Sequence, residues 1–210
     1  MSFRQGARQF FEKRGAPTPP LPYDAEVEYI ESVRPAYIDT GIRYLTTYTV
    51  YLDAQFVNPG RNLDTCLGSS GDAVCTIRVW PGVNQIQSFW YSGFLSVTQD
   101  ANELYKRHRY EFGPNGMRFD ENQVTTRPPP RDTVESLKLA GYNEGNTERQ
   151  GACRFWSFKV SDGNTLLIDL IPVRFTNEQG MSEGAMYDRV SGQVFRNAGT
   201  GAFTIGPDKS

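Results

Sequence analysis

Histidine is almost missing from this sequence: His108 is the only one in 210 residues. Without a second imidazole there is no His-rich metal site, and any Ser-His-Asp or Cys-His nucleophile would have to be built on this one residue. It sits in Lys106-Arg107-His108-Arg109, where flanking positive charge disfavours protonation, and the pattern predicts an exposed residue on a basic strand end. Cysteine is also scarce. Cys66, Cys75 and Cys153 show no Cys-x-x-Cys spacing, which with a single histidine gives no zinc site. No apolar run approaches the roughly 20 residues of a membrane span, and no apolar segment of about 7–15 residues near the N-terminus could serve as a secretory leader. The expectation is a chain made in the cytosol, without a transmembrane segment. Strong net charge is missing too. The total is −2, and Arg4, Arg8, Lys13 and Arg14 against Glu12 give residues 1–16 a charge of +3, which leaves −5 on the rest. A body of that sign is no electrostatic nucleic-acid binder.

What is abundant is turn chemistry. Twenty Gly and 13 Pro point to many reversals and few long helices, while 38% hydrophobic residues suffice for one sizeable core. Val27-Glu28-Tyr29-Ile30-Glu31 and Tyr48-Thr49-Val50-Tyr51-Leu52-Asp53-Ala54 alternate with period two and are rich in β-branched and aromatic residues. Gly113-Pro114-Asn115-Gly116, Asp162-Gly163 and Ser191-Gly192 each separate two such runs and are read as tight turns. Reversals at this density, with no helical segment between them, predict an antiparallel β-sandwich over residues 23–207. Arg127-Pro128-Pro129-Pro130-Arg131 cannot donate ladder hydrogen bonds and is expected as an exposed loop or sheet edge.

The first residues differ in kind. Ser2-Phe3-Arg4-Gln5 fits a capping box, and Phe3, Ala7, Phe10 and Phe11 follow at helical spacing. Residues 1–16 are read as a short basic amphipathic docking tail, with an unstructured tail as the alternative, and residues 17–22 as a proline-rich linker.

Two stretches carry a family resemblance. Val27-Glu28-Tyr29-Ile30-Glu31-Ser32 with Ala36-Tyr37-Ile38-Asp39-Thr40-Gly41-Ile42 resembles the opening of laminin G-like, concanavalin A-like jelly-roll modules. Asp169-Leu170-Ile171-Pro172-Val173-Arg174, Ala185-Met186-Tyr187-Asp188 and Phe195-Arg196-Asn197-Ala198-Gly199-Thr200-Gly201-Ala202-Phe203 resemble the closing strands of the same family. Val33-Arg34-Pro35 departs from it, since the family has a small Thr-Gly pair there. The resemblance implies a jelly roll and no catalytic residue. It also implies the setting in which such modules occur, phage and prophage structural proteins of gut bacteria, where the fold presents loops to glycans or to other virion subunits.

The candidate chemistry is sparse. Glu26, Glu28 and Glu31 do not share one strand face, as paired glycosidase carboxylates should, and are read as a solvated charged edge. Gly68-Ser69-Ser70-Gly71 is not a Gly-x-Ser-x-Gly elbow and reads as a hairpin tip. If that hairpin is centred between Ser70 and Gly71, Cys66 and Cys75 lie opposite each other within reach of a disulfide, though free buried thiols are the commoner outcome for a cytosolic chain. No cofactor is indicated. Calcium has only the loop carboxylates Asp64, Asp72, Asp100, Glu103 and Asp120, without selective spacing. Trp80, Trp90 and Tyr91 adjoin turns and are the candidate carbohydrate platforms, although large aromatics are also commonly buried, whereas Trp156 is assigned to the core.

The sequence therefore predicts a non-enzymatic phage virion module, for decoration or fibre-associated adhesion and multimeric in its assembly, located on the virion. It would bind glycans or protein through its loops and dock on assembly subunits through Phe3, Arg4, Arg8, Phe10, Phe11 and Arg14. A bacterial surface lectin is the alternative, and a glycoside hydrolase a more distant one. Deleting residues 1–20 should leave the sandwich folded, by circular dichroism and melting temperature, while abolishing co-purification with an assembly partner.

Overall fold

A computed structural model describes residues 20–57, 64–69, 75–90, 93–100, 102–126, 131–141 and 151–209. The docking tail and the first part of the linker lie outside the described residues. In chain order the strands are β1 (Ala25–Glu26), β2 (Ile30–Val33), β3 (Ile38–Arg43), β4 (Tyr48–Phe56), β5 (Asp64–Ser69) and β6 (Cys75–Trp80). Then come β7 (Gln85–Trp90), β8 (Gly93–Thr98), β9 (Arg107–Gly113), β10 (Gly116–Phe119), β11 (Asn122–Thr125) and β12 (Ser136–Leu139). The last are β13 (Cys153–Asp162), β14 (Thr165–Thr176), β15 (Ser182–Asp188), β16 (Val194–Phe195) and β17 (Ala202–Ile205). The only helical elements among the described residues are one-turn 3-10 segments, at Pro81–Val83 and Glu103–Tyr105.

All pairings are antiparallel and form two sheets. The larger runs β11-β10-β9-β4-β13-β14-β15-β16, with β1 on β14, β2 on β13 and β17 on β2; the smaller runs β3-β12-β5-β6-β7-β8. The chain is thus the antiparallel β-sandwich that the alternation predicts. Val50, Leu52, Ala54 and Phe56 of β4, Tyr110 and Phe112 of β9, and Phe155, Phe158 and Val160 of β13 are fully buried. They meet Ile38, Leu67, Ile77, Ile86 and Leu139 of the smaller sheet in one core. Each large side chain so buried contributes about 1.5–3 kcal/mol. A second cluster, Ile171, Val173, Phe175 and Ala185 with Tyr23 and Tyr187, covers the other face of β14.

The turns fall where the sequence places them. Gly116 at φ +95° closes the β9–β10 reversal, Gly163 at +54° the β13–β14 reversal, and Gly192 at +76° the β15–β16 reversal. The last is held by Asp188, 2% exposed, whose carboxylate accepts from the Asp169, Val190 and Ser191 N–H groups and the Ser191 hydroxyl at 2.6–3.1 Å. Burial alone would raise this carboxyl, but the hydrogen bonds outweigh it and hold it below its ordinary value.

Two expectations change. Val27 to Ser32 is not one strand: Val27 bridges to Asp208, and Val27 and Ile30, three residues apart, are both fully buried, which turns Glu28 outward between β1 and β2. The cysteine pairing is also different. The β5–β6 hairpin is not centred between Ser70 and Gly71: Cys75 opposes Ser69, three residues from Cys66, and Cys66 is the extra residue of a bulge between Thr65 and Leu67. Cys66 instead meets Cys153 across the sandwich; both are buried and free. Burial, then the contact with Cys66, pushes the Cys153 thiol well above its ordinary range.

The two ends of the domain lock together. The Arg34–Pro35 peptide is cis, with the Ala36 N–H donating to the Val33 carbonyl at 2.9 Å, a type VI turn. Asn197 grips it: its Oδ1 accepts from Tyr37 N–H at 3.1 Å and from Gly199 N–H at 2.9 Å, while Nδ2 donates to the Gly199 and Gly201 carbonyls. Neither glycine needs positive φ. Both are required because a Cβ on Gly199 would sit 2.0 Å from the Pro35 carbonyl oxygen, and one on Gly201 2.4 Å from that of Val33.

Two predictions follow from these contacts. Gly163→Ala meets open space and only a backbone penalty of about 1 kcal/mol, whereas Gly201→Ala should cost about 2–3 kcal/mol through forced backbone displacement; equal shifts in urea midpoint would refute the close-approach argument. Because the folded Asp188 carboxyl lies below its unfolded value, its contribution is present above that unfolded value and lost as pH falls from about 4 through the folded one. Asp188→Asn should therefore lower the melting temperature at pH 7 and flatten this acid limb.

Candidate functional site

The outward positions of β4, β9 and β13 form a polar face on the larger sheet. Period-two alternation sends Tyr51 and Asp53 outward from β4, Arg107, Arg109 and Glu111 from β9, and Ser157 and Lys159 from β13. In register, Asp53 lies between Arg109 and Ser157, and Tyr51 between Glu111 and Lys159. The β4–β13 ladder shifts between Phe155 and Ser157, so Trp156 is the extra residue of a bulge. Phe155 and Phe158 both remain in the core, and Trp156 turns out. Its expected core assignment is thereby corrected: it is half-buried, beside Asp53 and Arg107.

A stack of rings and guanidinium groups follows from that bulge. Arg107 carries its guanidinium 4.5 Å from the Trp156 ring centre, Tyr29 lies 5.3 Å from Trp156 at 50°, and Arg154 lies 4.7 Å from the Tyr29 ring. Carboxylates close both ends: Arg107 Nε and Nη2 each donate to Asp53 at 2.6 Å, and Arg154 Nε donates to Glu31 at 2.6 Å. The Asp53 hydrogen bonds push Arg107 further above its already high value; burial works against this, and Asp53 and Glu28 charges add to it. Glu28, Asp53, Arg107, Trp156, Ser157 and Lys209 line an open hollow of about 370 Å³. A second, of about 230 Å³, shares Asp53 and Ser157 and is completed by Tyr51, Arg109, Glu111, Arg118, Asp120 and Glu121.

The expected site residues scatter elsewhere. Trp80 is 37% exposed at the end of β6, on the smaller sheet, and lines neither hollow. The Trp90 side chain and Tyr91 lie outside the described residues, as do Phe3, Arg4, Arg8, Phe10, Phe11 and Arg14. His108 is not exposed. The alternation that sends Arg107 and Arg109 out turns it in, to 6% exposure, with Nδ1 2.9 Å from Asp120 Oδ2, Nε2 2.7 Å from the Glu103 carbonyl and its ring 4.6 Å from that of Phe119. The three N-terminal glutamates do not form one solvated edge: Glu26 pairs with Lys209, Glu31 with Arg154 on a strand paired on both sides, and Glu28 faces the hollow. Of the calcium candidates, Asp64 is buried against Arg34, Glu103 pairs with Lys106 and Asp120 with His108, while Asp72 lies outside the described residues. No three His, Cys, Asp or Glu side chains converge as a metal site among the described residues.

No protein-family model matches the chain, and no curated protein matches it in sequence. In structure it is similar to a protein of Bacteroides ovatus ATCC 8483, known from a crystal structure and provisionally named a carbohydrate-binding protein. The TM-score is 0.55 at 12% identity; the similarity covers 88% of this chain and 61% of the neighbour's, so this chain spans less than two thirds of that protein's length. At that identity the likeness defines the fold class, an all-β sandwich.

Proposed function

We propose that this protein is a non-enzymatic carbohydrate-binding module whose ligand lies on the outer face of the larger sheet. The observation that carries this reading is Trp156, turned out of the core by the bulge and set beside a bidentate Arg107–Asp53 pair. A sugar ring offers an apolar C–H face and a rim of hydroxyls. It is complemented by an amphipathic ring that loses little entropy and by a few fixed donors and acceptors converging beside it. Arg107 spends two of five N–H donors on Asp53 and keeps the rest. Ser157 and Glu28 add a hydroxyl and a carboxylate to the same hollow. The provisional name of the structural neighbour points the same way. Asp53, the carboxylate common to both hollows, is clamped by Arg107, which suits a positioned acceptor better than a proton-transferring acid.

A surface lectin and a virion adhesin would use this face alike. The phage setting rests on the sequence resemblance and on the tail residues. Screened on a glycan array, the protein should bind at least one glycan, and Trp156→Ala should weaken binding about tenfold or more, the equivalent of 1.4 kcal/mol. Trp80→Ala should leave it intact. Undiminished binding by Trp156→Ala, or loss only in Trp80→Ala, would move the site to the smaller sheet.

A further inference from the structure

Taking the outer face as a glycan site, we infer that it selects a neutral, linear oligosaccharide lying along β4 and β13, with one subsite at Trp156 and a second at Tyr51. Three observations lead there. The first is continuity, because Asp53 and Ser157 are walls of both hollows, so the two form one groove with a polar waist. The second is length. Ser157 pairs with Asp53 and Lys159 with Tyr51, two residues further along the ladder; adding the step to Trp156, the two aromatic positions are separated by about 10 Å along the strand. One pyranose ring cannot touch both, whereas a short chain of linked rings can. Tyr51 is 41% exposed, an open ring face on an otherwise polar surface. Burial of its hydroxyl end, then the neighbouring Glu111, raises the phenol, which keeps it a neutral donor.

The third observation is charge. The groove is lined by five carboxylates and four cations. Three of its cations already pair with carboxylates: Arg107 is clamped on Asp53, Arg109 lies 3.9 Å from Asp53 and 4.0 Å from Glu121, and Lys209 lies 3.6 Å from Glu26; the fourth, Arg118, stands opposite Glu111 in the β9–β10 ladder and donates to the Glu121 carbonyl. A uronate or sulfate would compete with a neighbouring carboxylate at each of these cations and would meet a surplus of negative charge. Hydroxyls can share the same donors and acceptors without breaking a pair. Charge thus excludes acidic glycans, and the spacing of the rings sets the minimum length. Tyr51 is the specificity-determining residue, since it rewards only a ligand that extends beyond the Trp156 subsite.

The test is calorimetric titration of the full chain with cello-, malto-, manno- and xylo-oligosaccharides from one to six units, and with oligogalacturonides of matched length. At least one neutral series should gain about tenfold in affinity between the monosaccharide and the trisaccharide and then level off. Matched oligogalacturonides should bind at least about tenfold more weakly. Tyr51→Ala should remove the gain with length, Tyr51→Phe should restore most of it, and Trp156→Ala should weaken every member. A monosaccharide that binds as well as the trisaccharide, a preference for oligogalacturonides, or a length gain that survives Tyr51→Ala would overturn this inference while leaving the glycan site standing. A protein that binds none of these sugars and no glycan on an array would overturn the site itself.

Discussion

Strand β13 lies under a double constraint that organises the molecule. It pairs with β4 along one edge and with β2 and β14 along the other, so it has no free edge through which to shed an awkward side chain. Its inner face must supply Phe155, Phe158 and Val160 to a core where every large side chain already has neighbours. Phe155 and Phe158 are an odd number of residues apart, and a strand of strict period two cannot point both inward. A single extra residue resolves the conflict, and that residue is Trp156. Core packing and the exposed aromatic are one event: flattening the bulge would return the indole to the interior and expel a phenylalanine.

Electrostatics on the outer face follows from that placement. An indole held next to a guanidinium is favourable by about 0.5–2 kcal/mol depending on desolvation, and Arg107 can serve Trp156 and Asp53 together because its stacking face and its hydrogen-bonding edge are at right angles. The stack of Arg154, Tyr29, Trp156 and Arg107 is therefore rigid without being hydrophobic. Rigidity of this kind lowers the entropic penalty of fixing a ligand and leaves the polar edges of the stack free to choose it.

The fold is legible in the sequence where the pattern is local. Alternation in Tyr48–Ala54 marks β4 and its inward residues, and Gly163 and Gly192 mark reversals through a conformation that other residues rarely adopt. Legibility falters wherever parity changes along a strand. The β5–β6 register pairs Cys75 with Ser69 and leaves Cys66 as the extra residue of a bulge, and a second bulge at Phe155/Ser157 sends Trp156 outward; no single window of sequence announces either. His108 is a different case: charged neighbours suggested exposure, yet on a strand the flanking residues report on the opposite face. The spacing of Phe155 and Phe158 was the available signal for the site, legible once both are required in one core. Gly199 and Gly201 were legible as backbone positions, but the reason, contact with a turn over 160 residues earlier, lies in the tertiary structure.

The closure of the domain on itself has a mechanical side. Val27 bridges Asp208, β2 pairs with β17, and Lys209 lines the same hollow as Trp156. Chain running out after β17 therefore meets the sandwich at the rim of the groove, beside Glu26 and Glu28. Tension between a surface held by the ligand and an anchor on the β17 side would travel through this short rim rather than across the core. The smaller sheet would carry almost none of it, and the backbone bonds of Gly206, Pro207 and Lys209 to Tyr29, Glu28 and Glu26 would be among the first to feel the pull.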